Sequence, residues 1–117
     1  MATIYNKIDR VADEPKLGVK VNIELLWDKS ESPVAFDAAE ETMIQGPNGT
    51  QTDVEGYWEI ANLVPNANIT PSGSVYKITE ELANLDDFVY YVVVEDGATP
   101  MFWVGTIIVE RPSYVNS

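Results

Sequence analysis

The run Val19-Lys20-Val21-Asn22-Ile23-Glu24-Leu25 alternates apolar and polar residues without a break. Successive side chains of a strand point to opposite faces, so this pattern predicts one face on a core and one in water. Related runs follow it. Tyr57-Trp58-Glu59-Ile60-Ala61-Asn62-Leu63 puts Trp58 and Ile60 on one face and Tyr57, Glu59 and Ala61 on the other. Val75–Glu80 alternates again, and turning Tyr76 and Ile78 inward leaves Lys77 outside. Phe88–Glu95 (FVYYVVVE) is rich in β-branched and aromatic residues and reads as a central strand covered on both faces. Met101–Glu110 (MFWVGTIIVE) reads as a further strand, with Gly105 marking a bulge or a close approach. Val34 with Phe36, and Thr42–Gln45, suit short strands. Turn signals separate these runs: Gly46-Pro47, Asn48-Gly49, Pro65, Ser72-Gly73, Asp96-Gly97 and Arg111-Pro112. Short strands with turns about every ten residues predict an all-β, antiparallel sandwich of about seven strands.

The core expected from these patterns is Val21, Ile23, Leu25, Trp58, Ile60, Leu63, Tyr76, Ile78, Val92, Val94, Trp103, Ile107 and Val109. Residues 1–17 fit the strand pattern less well. Ile4, Ile8 and Val11 stand at i, i+4, i+7, which permits a short helix, and Pro15 closes the segment. The alternative is an arm that becomes ordered on a partner. The organisation expected is therefore an N-terminal arm (1–17), a β-sandwich (18–112) and a loose tail (113–117).

Composition narrows the chemistry. The chain has 117 residues, enough for one domain, and carries neither His nor Cys. Disulfides and zinc–thiolate sites are excluded, and the commonest general base and transition-metal ligand are missing. The 19 acids against 7 bases give a net charge of −12, which argues against nucleic acid or an anionic membrane as partner. Residues 1–29 hold five bases and five acids, whereas residues 30–117 hold 14 acids against Lys77 and Arg111. The charge is that of a near-neutral leader and an acidic body, whose plainest role is solubility.

Each candidate constellation has a plain structural reading. The acidic pairs Glu40-Glu41, Glu80-Glu81 and Asp86-Asp87 read as solvated surface. Asp53-Val54-Glu55-Gly56 resembles part of a calcium loop but lacks its spacing and distal Glu. Ser and Thr have no His beside them and no Ser-x-x-Lys partner. Trp27, Trp58 and Trp103 read as core and rim packing, although an exposed aromatic row would instead favour carbohydrate binding. No catalytic residue, cofactor or metal is expected.

Thr52 to Glu80 reads TDVEGYWEIANLVPNANITPSGSVYKITE. This resembles the T-D-x-x-G-x-[YW]-x-[FI]-x-x-L-x-P…Y-x-[IV] pattern of transthyretin-like and carboxypeptidase-regulatory-like β-sandwiches. It is similar also to a version found in tailed-bacteriophage virion proteins, on Gly56, Trp58, Ile60, Leu63, Pro65, Pro71, Gly73, Tyr76 and Ile78. That likeness continues through Tyr91–Val94, Trp103–Gly105, Ile107, Val109 and Pro112, about half the chain in all. The resemblance implies an immunoglobulin-like or transthyretin-like sandwich in a non-enzymatic virion protein. The leading expectation is a capsid decoration protein, made in the bacterial host cytoplasm and carried on the capsid surface. The N-terminal residues Ile4, Tyr5, Lys7, Ile8, Arg10 and Val11 would bind the major capsid protein, with homo-oligomerisation, such as a trimer on local three-fold axes, following from the lattice. The alternatives are a tail, baseplate or fibre adaptor, which a chain ending at Ser117 disfavours, and a carbohydrate- or host-surface-binding module. Cell-surface relatives crosslink Lys to Asn, but Met101–Val109 offers no Asn or Asp for this.

Overall fold

The computed structural model describes residues 2–8, 19–27, 34–37, 40–43, 49–53, 55–70, 73–81, 87–95 and 101–114. They form eleven strand segments: β1 Ala2–Lys7, β2 Lys20–Leu26, β3 Val34–Asp37, β4 Glu40–Met43, β5 Thr50–Gln51, β6 Tyr57–Leu63, β7 Ile69–Thr70, β8 Val75–Glu81, β9 Phe88–Val92, β10 Met101–Trp103 and β11 Ile108–Val109. Single 3-10 turns lie at Asn66–Asn68 and Val104–Thr106. One sheet runs β10-β1-β6, a second β11-β9-β8-β2-β5, and a small third β4-β3-β7. Every pairing is antiparallel except β1 with β10.

The three- and five-stranded sheets share one apolar core. Ile4, Trp58 and Ile60 enter it from the first, and Val21, Ile23, Leu25, Ile78, Tyr90 and Val92 from the second. The alternation seen in the sequence is the alternation observed. Val21, Ile23 and Leu25 are buried while Lys20, Asn22 and Glu24 are exposed, and Tyr76 and Ile78 are buried with Lys77 turned out. Val34–Asp37 and Glu40–Met43 pair as a hairpin, joined to β7.

The N-terminal segment differs from expectation. Residues 2–7 are the middle strand of the three-stranded sheet, neither helix nor arm. Ile4 is 0% exposed, and Ala2 and Ile8 are buried beside it. The spacing of four between Ile4 and Ile8 also fits a strand, because an even spacing keeps both on one face. The Ile8 amide continues the pairing by donating to the Gly56 carbonyl at 2.8 Å. Releasing these side chains would expose them at about 1.5–3 kcal/mol for each large one. The domain boundary at residue 17 is thus corrected for residues 2–8, which belong to the sandwich; Arg10, Val11 and the rest of 9–18 lie outside the described residues.

Two further corrections concern the C-terminal third. Phe88–Glu95 is not covered on both faces: β9 ends at Val92, and Val89 on its outer face is 41% exposed. Met101–Glu110 is not one strand. β10 pairs with β1 in the first sheet; the chain then turns through Val104–Thr106, and β11 pairs with β9 in the second. Gly105 sits at this crossing, where a Cβ would stand 2.7 Å from the indole of Trp103. That break adds one to the number of segments, and it leaves Trp103, expected in the core, 50% exposed and Val109 half-buried.

Candidate functional site

The residues of the sequence pattern from Thr52 to Glu80 hold turns and core. Thr52 pairs with Val19 in both directions, its Oγ1 accepting from the Val19 amide at 2.9 Å and its own amide donating to the Val19 carbonyl at 3.1 Å. Asp53 Oδ1 accepts from the amides of Glu55 (2.9 Å) and Tyr57 (3.1 Å), which closes the turn into β6. Gly56 in that turn has φ +84°, a value that favours glycine. The carboxylate that suggested a calcium loop therefore caps backbone N–H groups. Asn66 is buried: its Oδ1 accepts from the Val94 amide (2.6 Å) and its Nδ2 donates to Ser74 Oγ (3.0 Å). Tyr76 donates its hydroxyl to the Val64 carbonyl at 2.7 Å, and burial pushes its pKa up to about 12.

Glu80 was expected on the surface with Glu81. Alternation along β8 separates the two. Glu81 points outward and accepts from the Asn22 amide, whereas Glu80 follows Tyr76 and Ile78 inward and is 2% exposed. Three donors converge on Glu80 Oε2: Trp58 Nε1 at 2.9 Å, Asn6 Nδ2 at 3.0 Å and the Tyr90 hydroxyl at 3.0 Å. They come from β6, β1 and β9, so this carboxyl group ties the two sheets together. A buried carboxyl group is tolerated when its lone pairs are met in this way. Burial, and then the neighbouring Glu80 charge, push the Tyr90 phenol pKa upward.

The network reaches the surface. Asn6, which gives its Nδ2 to Glu80, accepts at Oδ1 from Trp103 Nε1 at 3.2 Å. The group that meets the Asn6 amide from β10 is an indole and not an amine. The amide of this juxtaposition lies on β1 and the buried carboxyl group on β8.

The two outer faces of the sandwich differ in chemistry. On the five-stranded sheet Lys20 stands opposite Glu81, Asn22 opposite Thr79 and Glu24 opposite Lys77. Opposite charges directly across an antiparallel pair attract, and the β2–β8 part of this face suits water, whereas β9 beside it carries Val89, 41% exposed. On the three-stranded sheet, Trp103 is in register with Tyr5 and Met101 with Thr3, and Tyr57 is in register with Lys7 on the other flank. The Tyr5 and Tyr57 rings lie 6.1 Å apart and tilted by 30°. Burial and the nearby Glu59 carboxylate raise the Tyr57 pKa; its hydroxyl donates to Glu59 Oε2 at 3.4 Å. Met101 and Trp103 are 44% and 50% exposed.

Of the residues expected to bind a partner, Ile4 and Ile8 are core, and this corrects their role as docking side chains. Tyr5 is half-buried and Lys7 exposed, both at the outer face of the three-stranded sheet. Arg10 and Val11 lie outside the described residues. An open groove of about 570 Å³ lies elsewhere, at the β2–β5 edge, lined by Lys20, Asn22, Gly49, Thr50 and Asp53 among others. Among the described residues no cluster of three or more His, Cys, Asp or Glu is placed to hold a metal ion. No family model matches the chain, and neither a curated protein nor a solved structure was found to match it.

Proposed function

We propose that this chain is a non-enzymatic binding domain, an immunoglobulin-like or transthyretin-like sandwich, that serves as an accessory part of a tailed-phage virion. Within that class the reading favoured is a capsid decoration protein on the major capsid protein lattice. The observation that supports it is the use made of the polar side chains. Thr52, Asp53, Asn66, Tyr76, Glu80 and Tyr90 are each engaged in holding turns, loops or sheets together. A molecule whose polar groups are committed in this way acts through its surface. Attachment by an N-terminal arm is no longer part of the reading, since β1 is integral to the core. The body of the sandwich makes the contact, and repetition over a lattice strengthens it.

The test is occupancy. Shells assembled without this chain should take up the purified protein in proportion to their subunits, as read by sedimentation and quantitative gels. Uptake of a few copies per particle, located at the tail in images, would replace decoration by the adaptor reading. No uptake by shell or tail would end the virion reading altogether.

A further inference from the structure

We infer that the outer face of the β10-β1-β6 sheet is an interaction surface for a protein partner whose contact patch is apolar at its centre and basic at its rim. The inference goes beyond the virion reading and does not depend on it. Tyr5, Tyr57, Met101 and Trp103 share this face. Tyr, Trp and Met are the residue types enriched where protein interfaces are fully desolvated, and Tyr and Trp supply large contact areas with few rotatable bonds.

Trp103 is the anchor. Half of the indole faces solvent, yet its position is fixed on two sides. Nε1 donates to Asn6 Oδ1 at 3.2 Å, and Asn6 is in turn held by the buried Glu80. The benzo edge lies against Gly105, where a side chain would intrude at 2.7 Å. An aromatic group already held in place loses little freedom on binding. Asn6 and Gly105 are positioning residues for it.

The occupant follows from charge and shape. Net charge of −12 makes two copies of this chain repel, which disfavours a second copy. The same charge draws a partner with Lys or Arg around its contact patch; on the face itself Glu59, in register with Tyr5, offers a carboxylate to meet one, while Lys7, in register with Tyr57, sets the side such a rim must avoid. Small ligands prefer concave sites. The groove described above is at the β2–β5 edge, away from this face, so an extended surface suits it better than a sugar.

The experiment uses the full chain and a defined probe, a peptide with central leucines flanked by arginines. Binding is followed by amide shifts and by tryptophan fluorescence. Shifts should centre on Tyr5, Tyr57, Met101 and Trp103. Trp103→Ala should weaken binding roughly tenfold or more. Gly105→Ala, which displaces the indole and leaves the core intact, should weaken it severalfold. Tyr91→Ala on the opposite sheet should leave it unchanged. Shifts centred on β2, β8 or β9, or spread over the acidic surface and erased by modest salt with Trp103→Ala unaffected, would overturn the inference. So would no binding of the peptide at all. Oligosaccharide binding on these rings, or concentration-dependent dimerisation through them, each without peptide binding, would overturn it in favour of a glycan or a second copy.

Discussion

The charged face and the aromatic face of the sandwich rest on the same core but are joined to it differently. On the five-stranded sheet opposite charges stand in register across β2 and β8, Lys20 with Glu81 and Glu24 with Lys77. Among the described residues none of these pairs has a hydrogen-bonded path to the interior like that of Trp103, which runs through Asn6 to Glu80 and on to Trp58 and Tyr90. The lesson is that a buried polar node can set the posture of a surface side chain two bonds away. Cross-strand pairs at the surface are soft, screened by salt and held by little else. A node that links two sheets is stiff, and it passes its stiffness to whatever it grips.

The largest effect should come from the node. Glu80→Ala leaves the Trp58 indole, the Asn6 amide and the Tyr90 hydroxyl without their shared acceptor, at a cost of about 3–5 kcal/mol in denaturant unfolding. A loss below about 1 kcal/mol would dissolve the contrast between the faces. Alkaline pH comes next. The raised pKa values of Tyr76, at about 12, and of Tyr90 mean that the folded protein keeps both phenols protonated after the unfolded chain has begun to lose its protons. Stability should hold below pH ~10 and fall as pH rises through the folded-state values, by on the order of 2 kcal/mol for Tyr76, with Tyr90 acting in the same direction. Melting curves between pH 8 and pH 12 (roughly the span in which tyrosines titrate) read this slope, and Tyr76→Phe should flatten it.

Asn6→Ala sharpens the comparison further. It should cost about 1–2 kcal/mol through the lost donor to Glu80, and it should loosen Trp103, seen as lower tryptophan anisotropy at one of three indoles. If the anisotropy is unchanged, the node does not govern the surface. Glu24→Ala or Lys77→Ala, on the other face, should change stability by less than about 0.5 kcal/mol. A larger change there would show that the charged face is also built in.

Much of the sandwich was legible because its strands are half-buried, and half-burial writes itself as alternation. Val19–Leu25, Tyr57–Leu63 and Val75–Glu80 announced their inner faces in this way, and Ser72-Gly73 announced a turn, where Gly73 has positive φ. Three features were not legible, for different reasons. β1 finds its parallel partner β10 almost at the other end of the chain, and nothing local records so distant a pairing. In Met101–Val109 nearly every residue is apolar, so periodicity could not separate an inward Phe102 from an outward Trp103, nor reveal the change of sheet at Gly105. Glu80 stood beside Glu81 and looked like surface. The alternation of its own strand, Tyr76-Lys77-Ile78-Thr79-Glu80, carried the inward assignment, but a carboxyl group in a core is rare enough to argue against it. The candidate surface was hidden for the second reason: its anchor was taken for core.

The parallel contact of β1 with β10 has a mechanical consequence. Parallel neighbours run the same way, so a tug that draws the chain's beginning and its end apart slides these two strands lengthwise against each other. Their backbone links then share the load at once instead of opening one by one like a zip. The two-residue β11 would peel away first, and the shearing pair would give way after it.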